Sequence, residues 1–148
     1  EFDSIISKYG IEKIKTIGDS YMAAAGLPVA NPNHAFEMVM AAMDIIEYMK
    51  RHKKEREGNG KPVFEVRVGI HTGPVVAGIV GSKKFAYDIW GDAVNLASRM
   101  ESACETGQIN ISGSTFNLVK DQFRFQYRGE IEAKNKGLVD MYYVEGLA

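Results

Sequence analysis

The apolar residues of this chain change their spacing several times, and the stretches with strand-like spacing come in adjacent pairs. A helix repeats its apolar face every 3.6 residues and a half-buried strand every two, so each change of spacing marks an element boundary. Phe2, Ile5, Ile6 and Tyr9 have helical spacing, and Gly10 suits the end of that helix. Ile11, Ile14 and Ile17 read as a short strand, Gly18-Asp19 as a turn, and Tyr21 to Ala25 as the returning strand of a hairpin. A loop follows to Asn33, which reads as the N-cap of a long helix. Its apolar stripe is Phe36, Val39, Met40, Met43 and Ile46, widened by Ala35, Met38, Ala42, Ile45 and Met49. The charged run Lys50 to Glu57 ends this helix, and Gly58-Asn59-Gly60 breaks it.

Phe64, Val66, Val68 and Ile70 then alternate with Glu65, Arg67 and Gly69. Thr72-Gly73-Pro74 turns the chain into Val75 to Val80, so glycines 69, 73, 78 and 81 mark close approaches or bulges in a middle hairpin. After Phe85 to Trp90, Gly91-Asp92 opens a helix running to about Cys104. Ile109 and Ile111 make a short strand, and Ser112 caps a short helix through Val119. Phe123, Phe125 and Tyr127 form one strand and Val139 to Val144 another, around the polar turn Ala133 to Gly137. Hairpins alternating with helices specify an α+β domain, an antiparallel or mixed sheet with helices packed on it, and not a doubly wound parallel sheet.

The 148 residues allow one domain. Lys and Arg number 18 against 19 Asp and Glu, a net charge of -1, which excludes the basic footprint of a nucleic-acid binder and gives no pull toward an anionic membrane. A single cysteine, Cys104, excludes an internal disulfide and fits a reducing, cytoplasmic setting. No apolar run approaches the roughly 20 residues that span a bilayer. The chain begins Glu1-Phe2-Asp3-Ser4, without Met and without a signal-peptide shape, and reads as a piece of something longer.

Taken singly, the polar motifs have plain readings. Asp19 is a turn former. Asn95 and Arg99, one turn apart opposite the apolar face Ala93, Leu96, Ala97, Met100 and Ala103, are a solvated helix face. Lys134-Asn135-Lys136-Gly137 is a basic loop, and His34, His52 and His71 lack zinc-ligand spacing. The glycines match neither the dinucleotide fingerprint nor the P-loop. Their fixed order is more specific. Lys15-Thr16-Ile17-Gly18-Asp19, Arg67 to Val75 (RVGIHTGPV), Tyr87 to Arg99 (YDIWGDAVNLASR) and the Lys134 turn together resemble the catalytic domain of class III nucleotidyl cyclases, across essentially the whole chain.

The resemblance implies a ferredoxin-like cyclase fold and conversion of ATP to 3′,5′-cyclic AMP and pyrophosphate, in cyclic-nucleotide signalling. Asp19 matches the second of two aspartates that hold two divalent ions, Mg2+ or Mn2+. Lys15 and Asp88 match the base-selecting pair, and their types suit adenine; guanylyl cyclases carry Glu and Cys there. Asn95 matches the residue that orients the ribose, Arg99 the one that stabilises charge on the α-phosphate, and Lys134 the one that grips the terminal phosphates. The resemblance further implies a homodimer with shared sites, the metal aspartates coming from one subunit and the other residues from its mate. The family's first strand, bearing the first aspartate, its phosphate loop and most of its first helix precede the matching region. Residues 1–148 thus correspond to the C-terminal three-quarters of the domain, with a regulatory domain expected upstream and an unpaired edge or apolar groove where that strand would lie. The alternatives are a non-catalytic nucleotide-binding or dimerisation fragment and a guanylyl cyclase. A diguanylate cyclase is weaker, because its acidic Gly-Gly-Asp/Glu-Glu-Phe turn is missing.

Overall fold

The computed structural model describes residues 2–27, 30–60, 65–81, 86–133 and 137–148. The order is α1 (Phe2–Lys8), β1 (Glu12–Ile17), β2 (Ser20–Ala24), α2 (His34–Gly58), β3 (Val68–Ile70), β4 (Val76–Val80), β5 (Ala86–Trp90), α3 (Asp92–Ser102), β6 (Ile109–Ser112), α4 (Gly113–Val119), β7 (Phe123–Ala133) and β8 (Gly137–Leu147). This is a mixed α+β fold. A four-stranded sheet has the order β3-β6-β8-β7, and β1-β2 and β4-β5 are separate two-stranded ribbons.

The long helix organises the core because its stripe faces two ways. Ala35, Val39, Ala42 and Ile46 pack on Ile70, Ile109, Ile111, Phe123 and Val144 of the four-stranded sheet and on Val119 of α4. Ala41, on another face of α2, is buried with Ile6 of α1 and Ile11, and Tyr21 and Ala23 of the first hairpin close over them. Among the described residues no helix is long and apolar enough to cross a membrane.

Strand pairing departs from the sequence reading in the middle of the chain. β3 does not fold back on β4; it pairs in parallel with β6, Val68 opposite Ile109 and Ile70 opposite Ile111. A parallel pair needs a long crossover, and α3 supplies its helix, packing on both strands. β4 instead pairs with β5, Val76 opposite Trp90 and Gly78 opposite Asp88. Despite the apolar run of β4, Val76 and Ile79 are 67% and 71% exposed. Two caps also differ. The Asn33 side chain makes no cap bond; Asn31 Oδ1 accepts the Asn33 N–H at 2.9 Å, and Asn31 Nδ2 donates to Glu37 at 2.6 Å. Ser112 precedes α4 as anticipated, but its Oγ is engaged by His71 Nδ1 at 2.7 Å.

Gly69 sets how closely α3 lies on β3. A Cβ there would stand 2.1 Å from the Glu101 amide nitrogen and 2.6 Å from its Cα, both backbone atoms. Gly69→Ala should therefore displace α3 and lower stability by about 1–3 kcal/mol, read as a fall in urea midpoint at constant slope. Gly58→Ala, with nothing within 4 Å of its Cβ, should be neutral or stabilising. Equal midpoints for the two variants would show that the strand–helix approach does not need the glycine.

Candidate functional site

The first hairpin turns through two residues, Gly18 and Asp19, with Ile17 opposite Ser20. Gly18 has φ +58°, as the tight primed turns of twisted ribbons require at their first position. Asp19 is exposed at the tip. Upstream, the register slips between Lys13 and Lys15, leaving the buried Ile14 without a cross-strand partner. A bulge re-aims the side chains around it. Lys13 accordingly meets Asp3 of α1 at 3.6 Å, whereas Lys15 reaches β5 and places Nζ 2.9 Å from Asp88 Oδ2.

Asp88 is the more enclosed member of that pair, with 15% of its side chain exposed against 39% for Lys15. Its other oxygen, Oδ1, accepts the Ile89 N–H at 2.8 Å. The Lys15 hydrogen bond, and after it the Ile89 amide, hold the Asp88 carboxyl below the usual carboxylate range. The group is therefore ionised at neutral pH. What the pair adds to stability is present above the ordinary carboxylate pKa and is lost only as pH falls through the lowered one.

β5 touches both β1 and α3, so the Lys15–Asp88 pair lies beside the helix that carries the other candidates. Gly91, at φ +133°, lets the chain turn sharply from β5 into α3. Leu96 and Met100 bury one face of α3, which leaves Asn95 and Arg99 exposed on the other, one turn apart. Arg99 Nη2 donates to the Glu132 carbonyl of β7 at 2.9 Å. β7 and β8 pair as far as Ala133 opposite Gly137. Lys134, next in the chain after Ala133, lies outside the described residues.

Of the residues singled out in the sequence, Lys15 and Asp88 thus meet directly, and Asn95 and Arg99 share a helix face that Arg99 ties to Glu132 of β7. Asp19 stands apart, with no hydrogen bond or ion pair to another candidate among the described residues. Those residues contain no cluster of three or more potential metal ligands. Asp19 does offer an accessible carboxylate, the hard oxygen donor that Mg2+ or Mn2+ takes. Of the histidines, His71 Nδ1 pairs with Ser112 Oγ, and His52 accepts a hydrogen bond from Arg56 Nε at 2.8 Å and stacks on Tyr48. Sequence reasoning missed the polar contacts that seat α3 from β6 and β7; only the Arg128-Gly129 step, a bulge signal within a strand, hinted at them.

Chemically, a cation beside a carboxylate presents one donor and one acceptor to the edge of a planar heterocycle. An amide and a guanidinium on one helix face suit hydroxyls and phosphate oxygens. An adenylate cyclase of Mycobacterium tuberculosis is 45% identical over 145 residues, which is 98% of this chain and 32% of that protein. The chain thus spans about a third of that relative's length. The guanylate cyclase domain of RhGC from Catenaria anguillulae, solved in complex with GTP, superposes with a TM-score of 0.90 at 37% identity, covering 99% of this chain and 79% of that one. The adenylyl cyclase CyaB from P. aeruginosa also superposes at 0.90, with 33% identity over 97% of this chain and 76% of its own. Residues 1–146 match the adenylate and guanylate cyclase catalytic domain, and the chain, with its paired Lys15 and Asp88 and its Asn95–Arg99 helix face, belongs to that family.

Proposed function

We propose that the chain is the larger part of an adenylyl cyclase domain that converts ATP to 3′,5′-cyclic AMP and pyrophosphate. The observation that carries this reading is the Lys15–Asp88 pair, formed between residues 73 positions apart. An ionised Asp88 accepts from the adenine 6-amino group, and the Lys15 ammonium donates to a ring nitrogen. Guanine reverses that edge and would set its carbonyl oxygen against the carboxylate.

The remaining roles follow from chemistry and position. Asn95 orients the ribose. Arg99 offers a planar fork to the oxygens of the α-phosphate as charge builds there. Lys134 holds the terminal phosphates, and Asp19 would hold a divalent ion. Two such ions, Mg2+ or Mn2+, would lower the pKa of the ribose 3′-hydroxyl, so that it loses its proton more readily, and would neutralise phosphate charge. The partner aspartate is proposed to lie in sequence preceding residue 1, together with the domain's first strand and an upstream regulatory domain.

The site is proposed to be shared across a head-to-tail homodimer, Asp19 of one subunit meeting the base-reading pair, Asn95, Arg99 and Lys134 of the other. Exposed apolar residues support this. Val76, Val80 and Trp90 stand on the same face of the β4–β5 ribbon as Asp88 and are 67%, 38% and 42% exposed, and Ile17, beside the Asp19 turn, is 62% exposed. An apposed subunit would cover this row beside Asp88.

The test is Lys15→Glu combined with Asp88→Cys in the full-length protein. The double variant should move preference from ATP toward GTP, and each single variant should mainly lose activity, since a lost hydrogen bond costs about 1–3 kcal/mol and more when a charge is left unpaired. Undiminished ATP selectivity in the double variant would remove Lys15 and Asp88 as base readers. A wild-type protein preferring GTP would place it instead with its guanylate cyclase relatives.

A further inference from the structure

The exposed face of α3 has to be held in place from elsewhere, and the structure does so at the C-terminal end of the helix. A helix leaves its last carbonyls without intrahelical partners. Here three side chains bond one carbonyl of the last turn, that of the C-cap Ala103 and that of Cys104 just beyond it. Asn110 Nδ2 of β6 donates to the Met100 carbonyl at 2.9 Å, Arg128 Nη1 of β7 to that of Ala103 at 2.8 Å, and Arg67 Nη1 to that of Cys104 at 3.4 Å. Two of the three are cations, the sign that a helix C-terminus favours.

Arg128 is set up for this contact in two ways. It lies where the β7–β8 register slips, Tyr127 opposite Tyr142 but Gly129 opposite Met141, so it is the extra residue of a bulge followed by a glycine at φ +97°. The bulge turns it out of the ladder and toward α3. Its guanidinium carbon sits 4.0 Å from the centre of the Tyr143 ring, and the Tyr143 hydroxyl accepts the Glu105 N–H at 3.0 Å just beyond the helix. The guanidinium thus sits over a buried ring where it meets the carbonyl.

Strand β7 then grips α3 twice. Arg128 holds Ala103, and four residues along the strand the Glu132 carbonyl receives Arg99, four residues back along the helix. Four residues advance an α-helix by about 6 Å and an extended strand by about 13 Å. The difference is spanned by the two long side chains, Arg128 reaching from the strand and Arg99 from the helix.

We propose that Arg128 is a positioning residue of the cyclase reaction. From its bulge it fixes the register of α3 on β7, and through it the place at which Asn95 and Arg99 meet the nucleotide. This rests on the adenylyl cyclase reading above. Misplacing a catalytic group by about 1 Å is enough to cost about 10²-fold in rate, so loss of the anchor should be felt in turnover before it is felt in binding.

The experiment compares Arg128→Met and Arg128→Lys with wild type in the full-length protein, with kinetics measured well below each thermal midpoint. Arg128→Met should lower kcat by about 10–100-fold with KM for ATP within about 3-fold, and Arg128→Lys, which keeps one donor and the charge, should recover part of the loss. In an Arg99→Ala background Arg128→Met should cost much less than alone, because it acts through Arg99. A lowered midpoint with wild-type kcat in both variants, or losses that multiply fully with those of Arg99→Ala, would overturn the proposal. If Arg128→Met does not fold, Arg128→Lys with wild-type turnover overturns it alone. A wild-type protein without cyclase activity fails differently: it removes the adenylyl cyclase reading and this inference with it.

Discussion

Arg99→Ala should lower kcat of the full-length protein by about 10²–10³-fold and leave KM for ATP within a few-fold. The guanidinium is proposed to act on charge that appears only as the α-phosphate is attacked, so removing it costs the transition state more than the bound substrate. In the free chain Arg99 spends one N–H on the Glu132 carbonyl, which holds the group in place without saturating its fork of five donors. Arg99→Lys should recover little, because an ammonium keeps the charge but not the planar fork. Raised KM with unchanged kcat would reassign Arg99 to ground-state binding. A lower thermal midpoint with normal kinetics would reduce it to a strap between α3 and β7.

Mixing two inactive variants, Asp19→Ala and Asn95→Ala, should restore up to about a quarter of wild-type activity. The figure comes from random assortment: about half the dimers are mixed, and each mixed dimer holds one site with both lesions and one with neither. Both side chains are exposed, so neither substitution disturbs the core. Alanine is also a good helix former at the Asn95 position. Activity is assayed after subunit exchange has been verified by pulling down one tagged variant with the other. No recovery under those conditions would mean that each site is built from a single chain.

The elements were legible wherever a local period fixed them. The first helix, the Gly18-Asp19 hairpin, the α2 stripe and the helix beginning after Gly91 stand where their apolar spacing puts them, because burial acts on each element's own face. Pairing was less legible. Nothing in the spacing of Val68 and Ile70 distinguishes a neighbour eight residues on from one about forty residues on, and the parallel β3–β6 pair is decided by the α3 crossover and the close approach at Gly69. Asn33 stands at the N-cap as its place before the apolar stripe suggests, but its side chain makes no cap bond, and Asn31 accepts the Asn33 N–H instead. At the site, the resemblance named Lys15 and Asp88, and the bulge at Ile14 brings them together, which residue spacing alone could not reveal. Side-chain bonds to distant carbonyls, such as Arg128 to Ala103 and Arg99 to Glu132, leave no periodic trace in the sequence at all.

The two-residue turn at Gly18 has a consequence for how paired sites would communicate. Lys15 and Asp19 are joined by a ribbon without slack, no more than about 14 Å of chain. In a shared-site dimer they serve different nucleotides. A base seated against Lys15 in one site would then bear on the carboxylate that serves the other, and by linkage any such coupling would be reciprocal. Any coupling carried by this hairpin would show as substrate saturation that departs from a simple hyperbola, and would move the recovery in mixed dimers away from about a quarter.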